Sequence, residues 1–196
     1  MKMKSREVAL IGLMLSLSLL LQIMPLKIKT PWGMDIDLVA VPIIVLTLLL
    51  GFTSSLIALG LLFIGISMIS STSWLGASMK VPATLSVVIG IELAKRLTRF
   101  NMHSHATRSL VMFIVLSYII GTSIRIPLMV AMNYYYALPI YLNLPKEQVI
   151  PEVEKWFHMP FWLVIGIPNA IQSAVDIIGG LLAVIPVLRR FPQVFD

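Results

Sequence analysis

The chain contains no cysteine. Disulfides, thiolate chemistry and cysteine-based metal sites are therefore excluded. Charge is scarce as well. Only 12% of the 196 residues are Asp, Glu, Lys or Arg, against the roughly 25% that a water-soluble domain carries. That is too little polar surface to cover a globule, and too little charge for a disordered chain. Histidine is confined to His103, His105 and His158. No HExxH, GxSxG or paired-acid pattern accompanies these histidines, so the chain reads as a non-enzyme without a metal site. The phosphate-cradling sequence GxxxxGK[ST] is also missing. Any energised transport must then draw on a partner protein or an ion gradient.

What is present is apolar: 58% of the residues are hydrophobic. Long apolar runs place the chain in the bilayer, because each membrane helix needs about 20 such residues. The runs predict an all-α membrane protein of six spans, near 7–25, 37–51, 54–71, 80–97, 109–141 and 160–188. Residues 1–196 are expected to form a single integral membrane substrate-binding domain. The basic, apolar N-terminus is read as a retained first helix, since its apolar run is long and no small-residue cleavage site follows. Pro127, Pro139, Pro168 and Pro186 interrupt the last two spans. Each frees a backbone carbonyl, which favours buried or cavity-lining backbone at those points.

The net charge of +6 reads as a topology signal and not as a nucleic-acid footprint. With six spans both termini share one side. That side holds Lys2, Lys4, Arg6, Lys95, Arg96, Arg99, Arg108, Arg189 and Arg190. The other holds Lys27, Lys29, Lys80, Lys146 and Lys155. Nine against five predicts both termini in the cytoplasm of a multi-pass cell-membrane protein. Trp32, Trp74, Trp156 and Trp162 fall near predicted outer helix ends, where an interfacial aromatic belt accounts for most of them.

Polar side chains inside spans are expensive, and so mark candidate sites. Arg125 needs a counter-charge, carbonyls or water. It either pairs with Asp176 or Glu92, snorkels to an interface, or lines a wet cavity. Asn133 offers a planar donor and acceptor pair, followed by Tyr134, Tyr135, Tyr136 and Tyr141. Consecutive residues point about 100° apart on a helix, so the three tyrosines cannot all face one ligand. Asn169, Gln172 and Asp176 are spaced i, i+3, i+7 and share one helix face, which predicts a polar pocket. Lys80 opens the fourth span and is either a site entrance or a snorkelling lysine. Residues 27–37, with Trp32 and Gly33, are placed to form a lid. On the first helix Ala9, Gly12 and Ser16 make a small-residue stripe, a docking face for another helix.

Four segments together resemble the substrate-binding S component of energy-coupling factor (ECF) vitamin transporters. These are residues 35–60 (DIDLVAVPIIVLTLLLGFTSSLIALG), 79–92 (MKVPATLSVVIGIE), 125–141 (RIPLMVAMNYYYALPIY) and 167–180 (IPNAIQSAVDIIGG). The third is similar to riboflavin-specific members. The resemblance implies a six-helix bundle that captures a vitamin outside the cell, riboflavin foremost, with no catalysis and no cofactor. It implies partners: a membrane coupling subunit, docked through the first helices, and two cytoplasmic ATPases. It places Asn133 and Asn169 against a flavin ring. Gln172 stands where flavin binders often carry lysine. Trp32, Lys80, Arg125, Tyr134, Tyr141, Gln172 and Asp176 complete the expected substrate site. Two alternatives remain: an S component for another small vitamin or base, and a self-sufficient secondary carrier working through Arg125 and Asp176.

Overall fold

The computed structural model describes residues 4–30, 34–70, 73–99 and 107–190. It is an all-α bundle, apart from one short hairpin. Helix α1 (Ser5–Ile23) leads into strands β1 (Lys27–Lys29) and β2 (Asp35–Asp37), which pair antiparallel with Lys27 opposite Asp37. Then follow α2 (Val41–Leu50), α3 (Phe52–Ile69), α4 (Ser73–Thr98) and α5 (Thr107–Met132). A π-helical turn, Asn133–Ala137, joins α5 to α6 (Leu138–Leu142). Helices α7 (Lys146–Phe157) and α8 (Phe161–Arg190) follow.

Among the described residues, five segments are long and apolar enough to cross a membrane: Ser5–Ile23, Phe52–Ile69, Trp74–Thr98, Arg108–Leu142 and Phe161–Arg190. The predicted span at 37–51 differs. Its helix runs only from Val41 to Leu50, about 15 Å at 1.5 Å per residue, half the hydrocarbon thickness of about 30 Å. Every residue from Pro42 to Leu48 is buried. Hydropathy alone does not distinguish apolar residues covered by protein from those covered by lipid. Pro42 in the first turn suits a helix start, where its missing N–H costs nothing. Gly51, at φ +86°, ends α2 and starts α3 without an intervening loop. The Thr47 and Ser55 hydroxyls then bridge the two helices at 2.9 Å.

Two apolar clusters build the core. The larger takes residues from α1 to α5 and from the second half of α8, with Ile43, Leu62, Ile91 and Phe113 fully buried. The smaller collects Met129, Leu138, Val149, Val153, Phe161 and Ile165 around the start of α8. Helix α7 covers it through Val149 and Val153, one helical turn apart. This helix, Lys146–Phe157, forms in the polar stretch between the predicted spans 109–141 and 160–188. The proline expectation holds at Pro168, which is buried, but not at Pro127 and Pro186, which are exposed. Helices α5 and α8 run through these prolines without a break. Trp74, Trp156 and Trp162 are each about half exposed, as an aromatic belt requires.

Candidate solute-binding site

Between the two apolar clusters lies a cavity of about 150 Å³. Its walls come from α1, the hairpin, α4, α5, the π turn, α6 and α8. The stripe on α8 supplies Asn169, Gln172 and Asp176, all buried. Arg125 reaches them from α5 and is 4% exposed. Its Nε donates to Asn169 Oδ1 and its Nη1 to Asp176 Oδ2, both at 2.9 Å. The partner of Arg125 is thus Asp176. Glu92 is engaged by Arg96 one turn along α4.

Gln172 clamps the hairpin to α8. Its Oε1 accepts from the Asp37 backbone N–H at 2.9 Å, and its Nε2 donates to the Asp37 carbonyl at 2.7 Å. The same Nε2 donates to Asp176 Oδ1 at 2.6 Å. Lys80, from α4, donates to Asp37 Oδ2 at 2.5 Å and to Gln22 Oε1 of α1 at 2.7 Å. Asp37 Oδ1 accepts from the Val39 N–H, turning the chain into α2. Two ion pairs and three amides therefore tie five elements around one hollow. Each buried carboxylate has a cation and further donors, as a charge removed from water requires.

The π turn shapes the opposite wall. A π-helical segment adds a residue to the turn and commonly marks a functional site. It aligns Asn133, Ala137 and Tyr141 on the cavity. Asn133 Nδ2 donates to the Met129 carbonyl of its own helix at 2.8 Å, and its Oδ1 has no partner among the described residues.

Of the residues singled out in the sequence, Lys80, Arg125, Asn133, Tyr141, Asn169, Gln172 and Asp176 meet at this cavity. Tyr134 does not. It packs edge-on against Phe161, with ring centroids 6.3 Å apart. Trp32 and Gly33 lie outside the described residues, although the hairpin that carries them closes one side of the hollow. Met34, Asp35 and Asp37 also line it, from the segment expected to form a lid, as do Gln22 and Thr84; none of the five is singled out as a site residue in the sequence. Their signal is weak: Asp37 looks like a span boundary, and Gln22 lies at the end of an apolar run. Ala9, Gly12 and Ser16 are all exposed on α1. A Cβ built on Gly12 meets no atom within 4 Å, so this face is free to receive another helix.

Gln172→Leu removes both bonds to the Asp37 backbone and one from Asp176. Hydrogen exchange at residues 35–37 is expected to accelerate about tenfold or more, since each lost bond contributes about 1 kcal/mol. Exchange measured by mass spectrometry, unchanged at this peptide, rejects the clamp.

No family's sequence profile matches the chain, and no curated protein does. A solved structure is similar to it: the S component of a bacterial ECF transporter, with a TM-score of 0.63 over 98% of both chains at 15% identity. The chain therefore has the all-α fold of that membrane component.

Proposed function

We propose that this chain is the substrate-binding S subunit of an ECF-type importer in the cell membrane. It captures a small vitamin outside and passes it inward with a coupling subunit and two cytoplasmic ATPases. The exposed Ala9, Gly12 and Ser16 face of α1 is the proposed docking surface. The observation that carries this reading is the cavity: polar groups on five elements surround a hollow within an otherwise apolar bundle. A concave, partly apolar hollow with a few convergent polar groups is the usual form of a small-molecule site. Shared fold with a transporter's binding component supports the same reading.

Riboflavin is the first ligand proposed. Its flat ring has an amide-like edge suited to Asn133 and the donors facing it, and Tyr141 at the mouth offers an aromatic surface. A smaller vitamin or base is the second reading. The volume of about 150 Å³ favours it, because a cavity of about that size takes one benzene ring. The secondary carrier is disfavoured by the bonding of Arg125 and Asp176, which are locked to each other and to two amides.

Purified protein carrying a flavin is expected to be yellow. Titration of riboflavin fluorescence is expected to show quenching that Asn133→Ala weakens about threefold to tenfold, the effect of one hydrogen bond. A colourless protein that leaves riboflavin fluorescence unchanged turns the assignment to the smaller solute. Equal affinity in the variant removes Asn133 from the site.

A further inference from the structure

Resting on the reading of the cavity as a solute site, we infer that its guest is uncharged at neutral pH and is held by carbonyl-type acceptors facing Arg125 Nη2 and Lys80 Nζ, with a ring N–H turned to Asn133 Oδ1. The charge count comes first. Asp35, Asp37 and Asp176 line the hollow with Lys80 and Arg125. Each carboxylate already holds a cation: Lys27 on Asp35 at 2.8 Å, Lys80 on Asp37 and Arg125 on Asp176. The site is thus balanced without a guest. An ion entering it finds no free counter-charge, and an unpaired charge out of water is strongly unfavourable.

Spare hydrogen-bonding capacity then defines the guest's edge. Asn169 and Gln172 have no N–H to spare. Asn169 Nδ2 donates to the Ile165 carbonyl and to Met34 Sδ, and its Oδ1 accepts from Arg125. Gln172 uses its oxygen and both amide protons on Asp37 and Asp176. A guanidinium has five N–H groups and an ammonium three. Arg125 commits Nε and Nη1, so Nη2 has no partner among the described residues, and it is not one of the sealed, unpartnered atoms. Lys80 commits two of its three protons. N–H donors are therefore to spare at Arg125 and Lys80, while Asn133 Oδ1 and the second carboxylate oxygen of Asp35 are acceptors without a partner among the described residues. An uncharged heterocycle with a lactam-type edge, carbonyl beside N–H, satisfies both kinds of group. The two α8 amides hold Arg125 and the hairpin in place, while Arg125 and Lys80 touch the guest.

The test uses matched probes on the detergent-solubilised full chain, read by thermal shift. They are riboflavin against flavin mononucleotide, nicotinamide against nicotinate, and thiamine as a cation. Any solute carried through purification is identified by mass spectrometry. The expected result is stabilisation by a neutral probe and not by its charged counterpart. Arg125→Gln with Asp176→Asn keeps the pair polar and neutral, and is expected to weaken that probe about tenfold to a hundredfold. Lys80→Gln with Asp37→Asn carries the same expectation, should the first pair fail to fold. A charged probe that stabilises as well as its neutral partner, an ionised solute carried through purification, or unchanged affinity in a folded double variant overturns the inference and leaves the binding role standing. Stabilisation by no probe, with no solute carried, overturns both.

Discussion

Arg125→Met is expected to lower the stability of the chain by about 3–5 kcal/mol, the cost of leaving one member of a buried ion pair alone. The carboxylate of Asp176 is fully buried and would keep only the amide of Gln172. Asn169 Oδ1 would lose its donor in the same step. The double variant Arg125→Met/Asp176→Leu removes both charges and is expected to recover most of the loss, because apolar replacements of a buried pair are often neutral. Thermal unfolding in detergent, followed by circular dichroism across the full double-mutant cycle, reads the coupling. A single variant that melts with the wild type would show that Asp176 does not depend on Arg125. The double variant is also expected to lose the polar character of the cavity, so recovered stability and lost binding should appear together.

Gly90→Ala is the second substitution with a large expected effect. Helices α4 and α5 cross at Gly90 and Gly121. A Cβ on Gly90 would lie 2.5 Å from the Gly121 nitrogen, 2.6 Å from its Cα and 2.8 Å from the Ser117 carbonyl oxygen. All three atoms are backbone, so no side chain can swing away. The helices must part, with an expected loss of about 1–3 kcal/mol or more from overpacking. Gly121→Ala makes a useful contrast. Its Cβ comes no nearer than 3.3 Å, to Val87 Cα, and a smaller loss is expected. Melting temperatures of the two variants should therefore differ, with Gly90→Ala lower. Equal melting temperatures would mean that the crossing relaxes freely. The sensitive glycine lies on the helix that also carries Lys80, Ala83 and Thr84 to the cavity, about 9 Å or more along it.

Much of this arrangement can be read from the sequence. The five long helices follow from the apolar runs, and the α8 stripe follows from helical spacing, because Asn169, Gln172 and Asp176 need no tertiary information to share a face. The pairing of Arg125 is narrowed to two acids by the cost of an isolated intramembrane charge, and the structure selects Asp176. Other features depend on contacts between distant segments. Lys80 meets Asp37 and Gln22 across 43 and 58 residues, and no local pattern announces either pairing. The short length of α2 escapes hydropathy for the reason given by its burial. The π turn at Asn133 is equally silent, because Asn-Tyr-Tyr-Tyr-Ala suits an ordinary helix. That one extra residue decides that Asn133 and Tyr141 face the hollow while Tyr134 turns to Phe161. Helix α7 is the opposite case: the spacing of Val149 and Val153 was visible, but the surrounding charges and prolines obscured it.

The closure of the hollow by both the first helix and the last has a consequence for biogenesis. Gln22 leaves the ribosome well before Asn169, Gln172 and Asp176. Until α8 arrives, Arg125 lacks its acid, the hairpin lacks its clamp, and the short α2 lacks the partner against which Gly179 and Gly180 pack Val41 and Ile44. A growing chain with its earlier helices already inserted holds these polar groups in waiting. Quality control during synthesis would therefore act on a molecule whose hollow is not assembled until α8 has been made.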